Sequence, residues 1–455
     1  MADGLIVAAP ASGSGKTVVT LAVLRALARS GVRVASFKVG PDYIDPAFHA
    51  VASGRPCVNL DPWAMRPATV AGLLGEICRD ADLVIGEGVM GLFDGAADGT
   101  GSTADLAAAT GWPVILVVDV RGQAASAAAL VRGFATHRAD VAVAGVVFNR
   151  VGGDAHGEAL RRAMAALGVP VLGFLPRTDR LALPERHLGL VQAAERVELG
   201  AFLESGADLV ERHLDLSRLR SLAWPARTAD VQAAAADEAG LLPLGQRIAV
   251  ARDVAFAFAY PAQLEAWRAA GAALSFFSPL SDEPPAADAD AVFLPGGYPE
   301  LHAGRLAANA AFLGGLRVAA TRGAAVYGEC GGYMVLGESL TEAGGQAHAM
   351  AGLLPLATSF AERRLHLGYR EAQLAADCPL GPSGRAFRGH EFHYAVITQE
   401  GAGAPLFACR DARGRVLGAS GRRRGTVMGS FIHLIDRAEV GERGSEWRRS
   451  SRTTT

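Results

Sequence analysis

The sequence predicts an α/β protein made of two sheet-and-helix domains in series, and three observations carry that prediction. Short apolar, β-branched runs alternate with helical stretches from the first residues onward, the pattern of a parallel sheet covered on both faces. A glycine-rich turn lies between the first of those runs and the first helix. A second series of the same kind restarts near residue 246, after an alanine-rich stretch bounded by prolines. A chain of 455 residues, 50% hydrophobic and 20% charged, is long enough for two cores and too apolar to be disordered. We therefore expect domains at 1–225 and 246–440, a linker at 226–245, and a polar, arginine-rich tail at 441–455 that frays.

In the first domain, strands are expected at 5–9, 32–38, 83–86, 114–118, 141–148 and 171–175, separated by helices such as 18–30, 124–136 and 158–167. Ligands of such sheets bind beyond the carboxyl ends of the strands. The first strand leads into Ala9-Pro10-Ala11-Ser12-Gly13-Ser14-Gly15-Lys16-Thr17. A strand, a glycine-rich turn and a helix opening on Lys-Thr make a phosphate cradle: Ser12, Gly13, Ser14 and Gly15 turn backbone N–H groups toward the anion, Lys16 neutralises oxygens further out, and the Thr17 hydroxyl can ligate Mg²⁺. Pro10 stands where the usual G-x-x-x-x-G-K-[ST] pattern has its first glycine, so the pattern alone is imperfect.

Lysine usage supports the assignment. Lys16 and Lys38 are the only lysines among 44 basic residues, and all the others are arginine. The two cations are interchangeable on a wet surface but not where a compact ammonium must fit among phosphates, so both lysines read as ATP-site residues.

The second strand runs into Lys38-Val39-Gly40-Pro41-Asp42-Tyr43-Ile44-Asp45-Pro46, two acids pinned by prolines. The third ends Gly86-Glu87-Gly88-Val89-Met90-Gly91-Leu92-Phe93-Asp94, where Glu87 follows a buried strand as a Walker-B carboxylate does. A triphosphate brings Mg²⁺, which takes a few hard oxygens, and Thr17, Asp45 and Glu87 are the expected ligands. Asp42, Tyr43 and Ile44, in the proline-pinned loop, and Asp94 lie beyond these strand ends, near the phosphates. The bland alternative for Asp42 and Asp94 is a turn or cap role. Asp119, after the fourth strand, is left unassigned.

In the second domain, strands are expected at 247–251, 274–277, 291–294 and 324–327. Glu329-Cys330-Gly331-Gly332 places a cysteine between a strand and a helix with small neighbours, the build of a nucleophile elbow. The turn Pro295-Gly296-Gly297-Tyr298 supplies a backbone N–H at Gly297 that, with that of Gly331, can form an oxyanion hole. His433, in Gly429-Ser430-Phe431-Ile432-His433, is the best candidate base. Cys57, Cys78, Cys378 and Cys409 read as buried hydrophobes.

The net charge of −2 offers no field for nucleic acid. The cysteines have no C-x-x-C pairing, and no apolar run is long enough for a membrane span, so a cytoplasmic protein without nucleic-acid or membrane partners is expected.

These blocks together resemble the cobyrinic or hydrogenobyrinic acid a,c-diamide synthases of cobalamin biosynthesis. The likeness runs over almost the whole chain: S-G-S-G-K-T, K-V-G-P-D-Y-I-D-P, E-G-V-M-G-L-F-D-G, A-R-D-V-A-F-A-F-A-Y-P, P-G-G-Y-P-E, E-C-G-G-Y-M, H-E-F-H-Y and G-S-F-I-H-L, in that order. The resemblance implies an N-terminal ATP-dependent ligase domain similar to dethiobiotin synthetase and a C-terminal class I-type glutaminase domain. It implies Cys330 as nucleophile, His433 as its base, and Lys16, Thr17, Lys38, Asp42, Asp45, Glu87 and Asp94 in the ligase motifs, with Asp42, Tyr43, Ile44 and Asp94 at the ligase substrate. Its substrates would be a corrinoid acid, glutamine and ATP, with Mg²⁺, and a homodimer is a possible assembly.

Class I glutaminases commonly carry Glu two residues after the histidine, whereas Ile435 stands there, so a Cys-His dyad is expected with another group fixing the His433 tautomer. His390, Glu391 and His393 belong to a family motif without an assigned step. Rival readings are cobyric acid synthase, another tetrapyrrole a,c-diamide synthase and, from a different class, a partition-type P-loop ATPase. The last has a signature lysine five residues before the P-loop lysine, where this chain has Ala11.

Overall fold

The computed structural model describes residues 2–178, 185–186, 189–196, 198–227 and 240–438. They form two compact units, divided in the chain at Asp237 and Glu238 apart from two three-residue segments. Residues 228–239 of the expected linker and the whole expected tail lie outside the described residues.

The first unit is a parallel sheet of β1 (Asp3–Ala8), β2 (Val34–Val39), β3 (Cys57–Leu60), β4 (Leu83–Glu87), β5 (Val114–Asp119), β6 (Val143–Val151) and β7 (Val171–Pro176), in the order β3-β2-β4-β1-β5-β6-β7. Trp224–Pro225 adds a short antiparallel pair to β1. Every residue of β2 is buried, as a central strand with helices on both faces requires. Helix α1 (Lys16–Arg29) leaves β1 through the glycine-rich turn, and α2 (Asp45–Ser53) leaves β2 through the proline-pinned loop.

The expected strands of this unit are all present, with bounds displaced by a few residues. Strand β3 is an addition: four residues long at the sheet edge, it carries the polar Asn59, whose Nδ2 donates to the carbonyls of Gly40 and Asp42 at 2.9 and 2.7 Å. Its periodicity is too short to announce it, but it clamps the loop that bears Asp42.

The second unit opens as expected, with parallel strands Arg247–Ala251, Ala273–Phe277, Ala291–Leu294 and Ala325–Glu329. Val427–Ser430 continues the parallel set beside Ala325–Glu329. Beyond it the ten-stranded sheet turns antiparallel through Val416–Arg424, Ala404–Asp411, His366–Leu374, Ala386–His393 and His433–Arg437. Sequence patterning does not announce that half, because strands such as Val416–Arg424 are mainly exposed or half-buried and carry arginines and glycines. Two apolar clusters cover the sheet's faces, one around Phe256, Phe312 and Tyr333, the other around Trp267, Phe293 and Phe407. No helix among the described residues is long and apolar enough to cross a membrane.

Candidate active site

The first unit gathers its charged residues at the carboxyl ends of β1, β2 and β4. Gly13 and Gly15 hold φ of 77° and 88°, a left-handed backbone that lets the turn after β1 close onto α1 without a side-chain cap. The turn is pinned from β6: Asn149 Nδ2 donates to the Ser14 carbonyl at 2.9 Å, and Arg150 Nη1 donates to the Gly13 carbonyl at 2.8 Å and to Asp119 Oδ2 at 2.6 Å. Ser12 and Gly13 are exposed, whereas Ser14 and Lys16 are buried. Beside this turn a cavity of about 260 Å³ is lined by Gly15, Val18, Arg121, Asn149, Arg150 and Arg177, among others. Asn149 and Arg150 are absent from the sequence reading; their signal was their place at the carboxyl end of an expected strand.

Lys38 is 2% exposed, with its Nζ 2.5 Å from Asp45 Oδ2 and 2.7 Å from Glu87 Oε1. Thr17 Oγ1 lies 2.5 Å from the same Glu87 oxygen and 3.5 Å from Asp45 Oδ2. Thus Thr17, Lys38, Asp45 and Glu87 converge, and three of them present hard oxygen donors of the kind Mg²⁺ takes. His49, one turn after Asp45 on α2, places Nε2 2.6 Å from Glu87 Oε2 and is fully buried. The sequence reading missed His49, although an i, i+4 spacing from Asp45 puts both on one helix face.

Burial raises the Asp45 carboxyl to about 6, helped by the charge of Asp42 and opposed by Lys38. Burial alone would also raise Glu87, but Lys38 and His49 outweigh it and hold the group ionised. Burial and the nearby Lys38 lower the Lys16 ammonium. His49 resists its burial through Cys57 and Glu87 and rises to about 10.

Asp42 and Asp94 take local roles in this structure. Asp42 Oδ1 accepts from the amides of Ile44 and Asp45 at 2.8 and 3.1 Å, shaping the entry to α2. Asp94 Oδ2 accepts from the Gly91 amide at 2.9 Å and is otherwise exposed. Tyr43 is half-buried and Ile44 buried in the same turn.

In the second unit, Cys330 occupies the tight turn between the strand Ala325–Glu329 and the helix Gly331–Leu336, at φ 47° and ψ −103°. That positive φ is strained for a side-chain-bearing residue and is held by the packing around it. The Cys330 amide donates to the Ser430 carbonyl at 2.8 Å. Burial, then the charge of Glu300, pushes the thiol up, while the Gly331 amide pulls it down. His433 opens the strand His433–Arg437 and is 2% exposed. Gly296 lies between the two: a methyl group there would stand 3.2 Å from His433 Nε2 and 3.3 Å from Cys330 Cβ. The Gly297 amide nitrogen lies 3.1 Å from where a Gly331 methyl would sit, so the two glycine turns meet at the residue next to Cys330.

Glu329, the residue before Cys330, is 2% exposed, and its Oε2 lies 3.7 Å from His433 Nδ1. Ile435, two residues after His433, is buried and supplies no carboxylate.

His390 pairs in register with His433 and is buried; burial, then the neighbouring His433 and Arg370, lower it to about 3. Glu391, held at about 2 against its burial by His393 and Arg370, joins His393 and His366 in a cluster whose ligand atoms lie within 4.8 Å of one another. The two imidazoles stack 4.7 Å apart at 6°, so their lone pairs lie in two separate, nearly parallel planes and do not meet at one point, and Arg370 already neutralises Glu391 at 2.6 Å. The cluster is therefore poorly shaped for an ion.

Residues 5–191 match the CobQ/CobB/MinD/ParA nucleotide binding domain, and residues 247–439 the CobB/CobQ-like glutamine amidotransferase domain. The chain is 56% identical to the hydrogenobyrinate a,c-diamide synthase of Brucella anthropi over 95% of its own length and 98% of the relative's. Proteins of the same name from Rhizobium meliloti and Mesorhizobium japonicum are 55% and 53% identical, each over 96% of this chain and all of the relative. With both halves matched along nearly full length, the chain belongs to the hydrogenobyrinate a,c-diamide synthase family and is a ligase that forms C–N bonds with glutamine as amido donor.

Proposed function

We propose that this enzyme amidates the a and c carboxylates of hydrogenobyrinic acid with ammonia from glutamine, driven by ATP through an acyl phosphate. The observation that carries the reading is the presence in one chain of a glycine-rich turn before α1 with Lys38, Asp45 and Glu87 gathered at the neighbouring strand ends, and of a cysteine on a strained elbow that shares Gly296 as a neighbour with His433.

A carboxylate resists attack by ammonia because its carbon is a poor electrophile. Phosphorylation solves this: a carboxylate oxygen attacks the γ-phosphorus, the bond to the β–γ bridging oxygen breaks, and ADP leaves. Ammonia then attacks the acyl carbon and phosphate departs. Lys16 and the turn amides hold the phosphates in line, and Lys38 supplies a second buried cation where charge moves. Thr17, Asp45 and Glu87 would hold Mg²⁺, which neutralises triphosphate charge when bound. In the other unit, His433 takes the Cys330 proton, the thiolate attacks the glutamine side-chain carbonyl, and the Gly297 and Gly331 amides receive the developing oxyanion. The His433 imidazolium returns its proton to the amide nitrogen, ammonia leaves, and water that gives its proton to His433 attacks the thioester to release glutamate and the Cys330 thiol. The repeat of this cycle at the second carboxylate yields the diamide.

Isotope transfer tests the acyl phosphate. With ¹⁸O in the substrate carboxylates, each amidation should deliver one ¹⁸O to the released phosphate; unlabelled phosphate alongside diamide product would refute it.

Two variants probe the sites. Glu87→Gln swaps an anionic oxygen for an amide of equal shape, so it should cut ATP-dependent amidation by about 10²-fold and raise the Mg²⁺ needed for half-maximal rate, while glutamine hydrolysis persists. Unchanged metal dependence would move the ligand elsewhere. Gly296→Ala brings a methyl group 2.4 Å from His433 Cε1, so the imidazole must shift. Glutamine-driven turnover should fall about 10²-fold, and ammonium-driven amidation should not, as parallel assays of the two nitrogen donors would show.

A further inference from the structure

The geometry points to Glu329 as the positioning residue of the glutaminase site, the carboxylate that fixes the His433 tautomer in place of the acid that Ile435 displaces. This rests on the reading of Cys330 and His433 as nucleophile and base.

Both oxygens of Glu329 have distinct settings. Oε1 accepts from the Leu434 amide at 3.1 Å and from the Tyr327 hydroxyl at 3.0 Å, so two donors anchor it. Oε2 is left facing His433 Nδ1 at 3.7 Å. Side chains of His433, Glu329 and Tyr327 are all buried, which removes water as a competing partner and strengthens the attraction. Before substrate binds, such contacts are commonly longer than a hydrogen bond and tighten in the reacting complex.

A carboxylate accepts only, so it selects the imidazole with hydrogen on Nδ1. That leaves the Nε2 lone pair on the side of Gly296 and Cys330, where a base must be. When Nε2 takes the thiol proton, the same carboxylate stabilises the imidazolium. The chain thus takes its third group from the residue adjacent to the nucleophile, on the strand Ala325–Glu329, and not from the strand that carries the histidine.

Two substitutions separate positioning from scaffolding. Glu329→Gln keeps an oxygen for Leu434 and Tyr327 but turns an N–H toward His433, which selects the tautomer that cannot accept from Cys330. Glu329→Asp keeps the charge and loses the anchors. We expect Glu329→Gln to lower glutamine-driven kcat by about 10⁴-fold, the loss seen when an orienting carboxylate is neutralised, with the glutamine KM within about threefold and ammonium-driven amidation unchanged. Glu329→Asp should retain more activity than Glu329→Gln. Cys330→Ala and His433→Ala run beside them: if those two keep glutamine-driven turnover, the underlying site reading fails. If they lose it while Glu329→Gln stays within about threefold of the parent, or Glu329→Asp is the more damaged, the Glu329 inference is overturned. A joint loss of glutamine- and ammonium-driven rates with a lowered Tm in both variants would likewise overturn it by showing a scaffold role.

Discussion

Cys330→Ala should eliminate amidation driven by glutamine and leave amidation driven by ammonium salts close to that of the parent enzyme. The substitution removes one sulfur from a packed turn in the second unit, and the residues of the phosphate cradle belong to the first. Alanine fits the space, although the turn's φ of 47° remains unfavourable for any side chain. At alkaline pH, free NH₃ is plentiful and, on the proposed route, attacks the acyl phosphate without glutamine. His433→Ala should behave alike, because a nucleophile and its base act as a unit and the loss of either costs most of the rate. Rates with the two nitrogen donors, measured on the same preparation, decide it. A Cys330→Ala enzyme that still uses glutamine would place the nucleophile elsewhere, and one that loses both reactions while folded would tie Cys330 to the ligase step.

Lys16→Arg should reduce ATP-dependent amidation by about 10²- to 10³-fold with either nitrogen donor, the loss typical of removing one charge-stabilising group from a preorganised site. Charge is conserved, so the effect rests on shape: a planar guanidinium is wider than the ammonium at the buried start of α1. Glutamine hydrolysis should continue without coupling. ATP hydrolysis and diamide formation followed together give the answer, and full ATP-dependent amidation by the variant would remove the phosphate-cradle assignment.

Much of this was legible because the chemistry sits at strand ends. The runs before Gly13–Thr17, Asp42–Asp45, Glu87 and Cys330 are short, apolar and buried, so the periodicity that marks the strand also marks the loop beyond it. Rare lysine usage drew attention to Lys38, which the structure buries between Asp45 and Glu87. What periodicity does not carry is pairing across elements. His49 reads as an ordinary helical residue until α2 is set against β4 and its Nε2 meets Glu87. Asn149 gains meaning only when β6 is seen to reach the Ser14 carbonyl. Glu329 is the sharpest case: next to Cys330 in sequence, it reads as part of a motif, and its neighbour His433 is over a hundred residues away until parallel pairing of Ala325–Glu329 with Val427–Ser430 brings the segment after Ser430 alongside. The antiparallel strands between 366 and 437 escaped for another reason, since half-exposed strands carry arginine and glycine as readily as apolar residues.

The most direct test is to incubate the purified enzyme with hydrogenobyrinic acid, ATP, Mg²⁺ and glutamine labelled with ¹⁵N in its side-chain amide, and to weigh the corrin product. The account predicts a diamide carrying ¹⁵N at both new amides, formed with one ATP consumed per amide and absent when ATP is withheld. Product formed without ATP, or a corrin acid recovered unamidated while glutamine and ATP are hydrolysed, would contradict it.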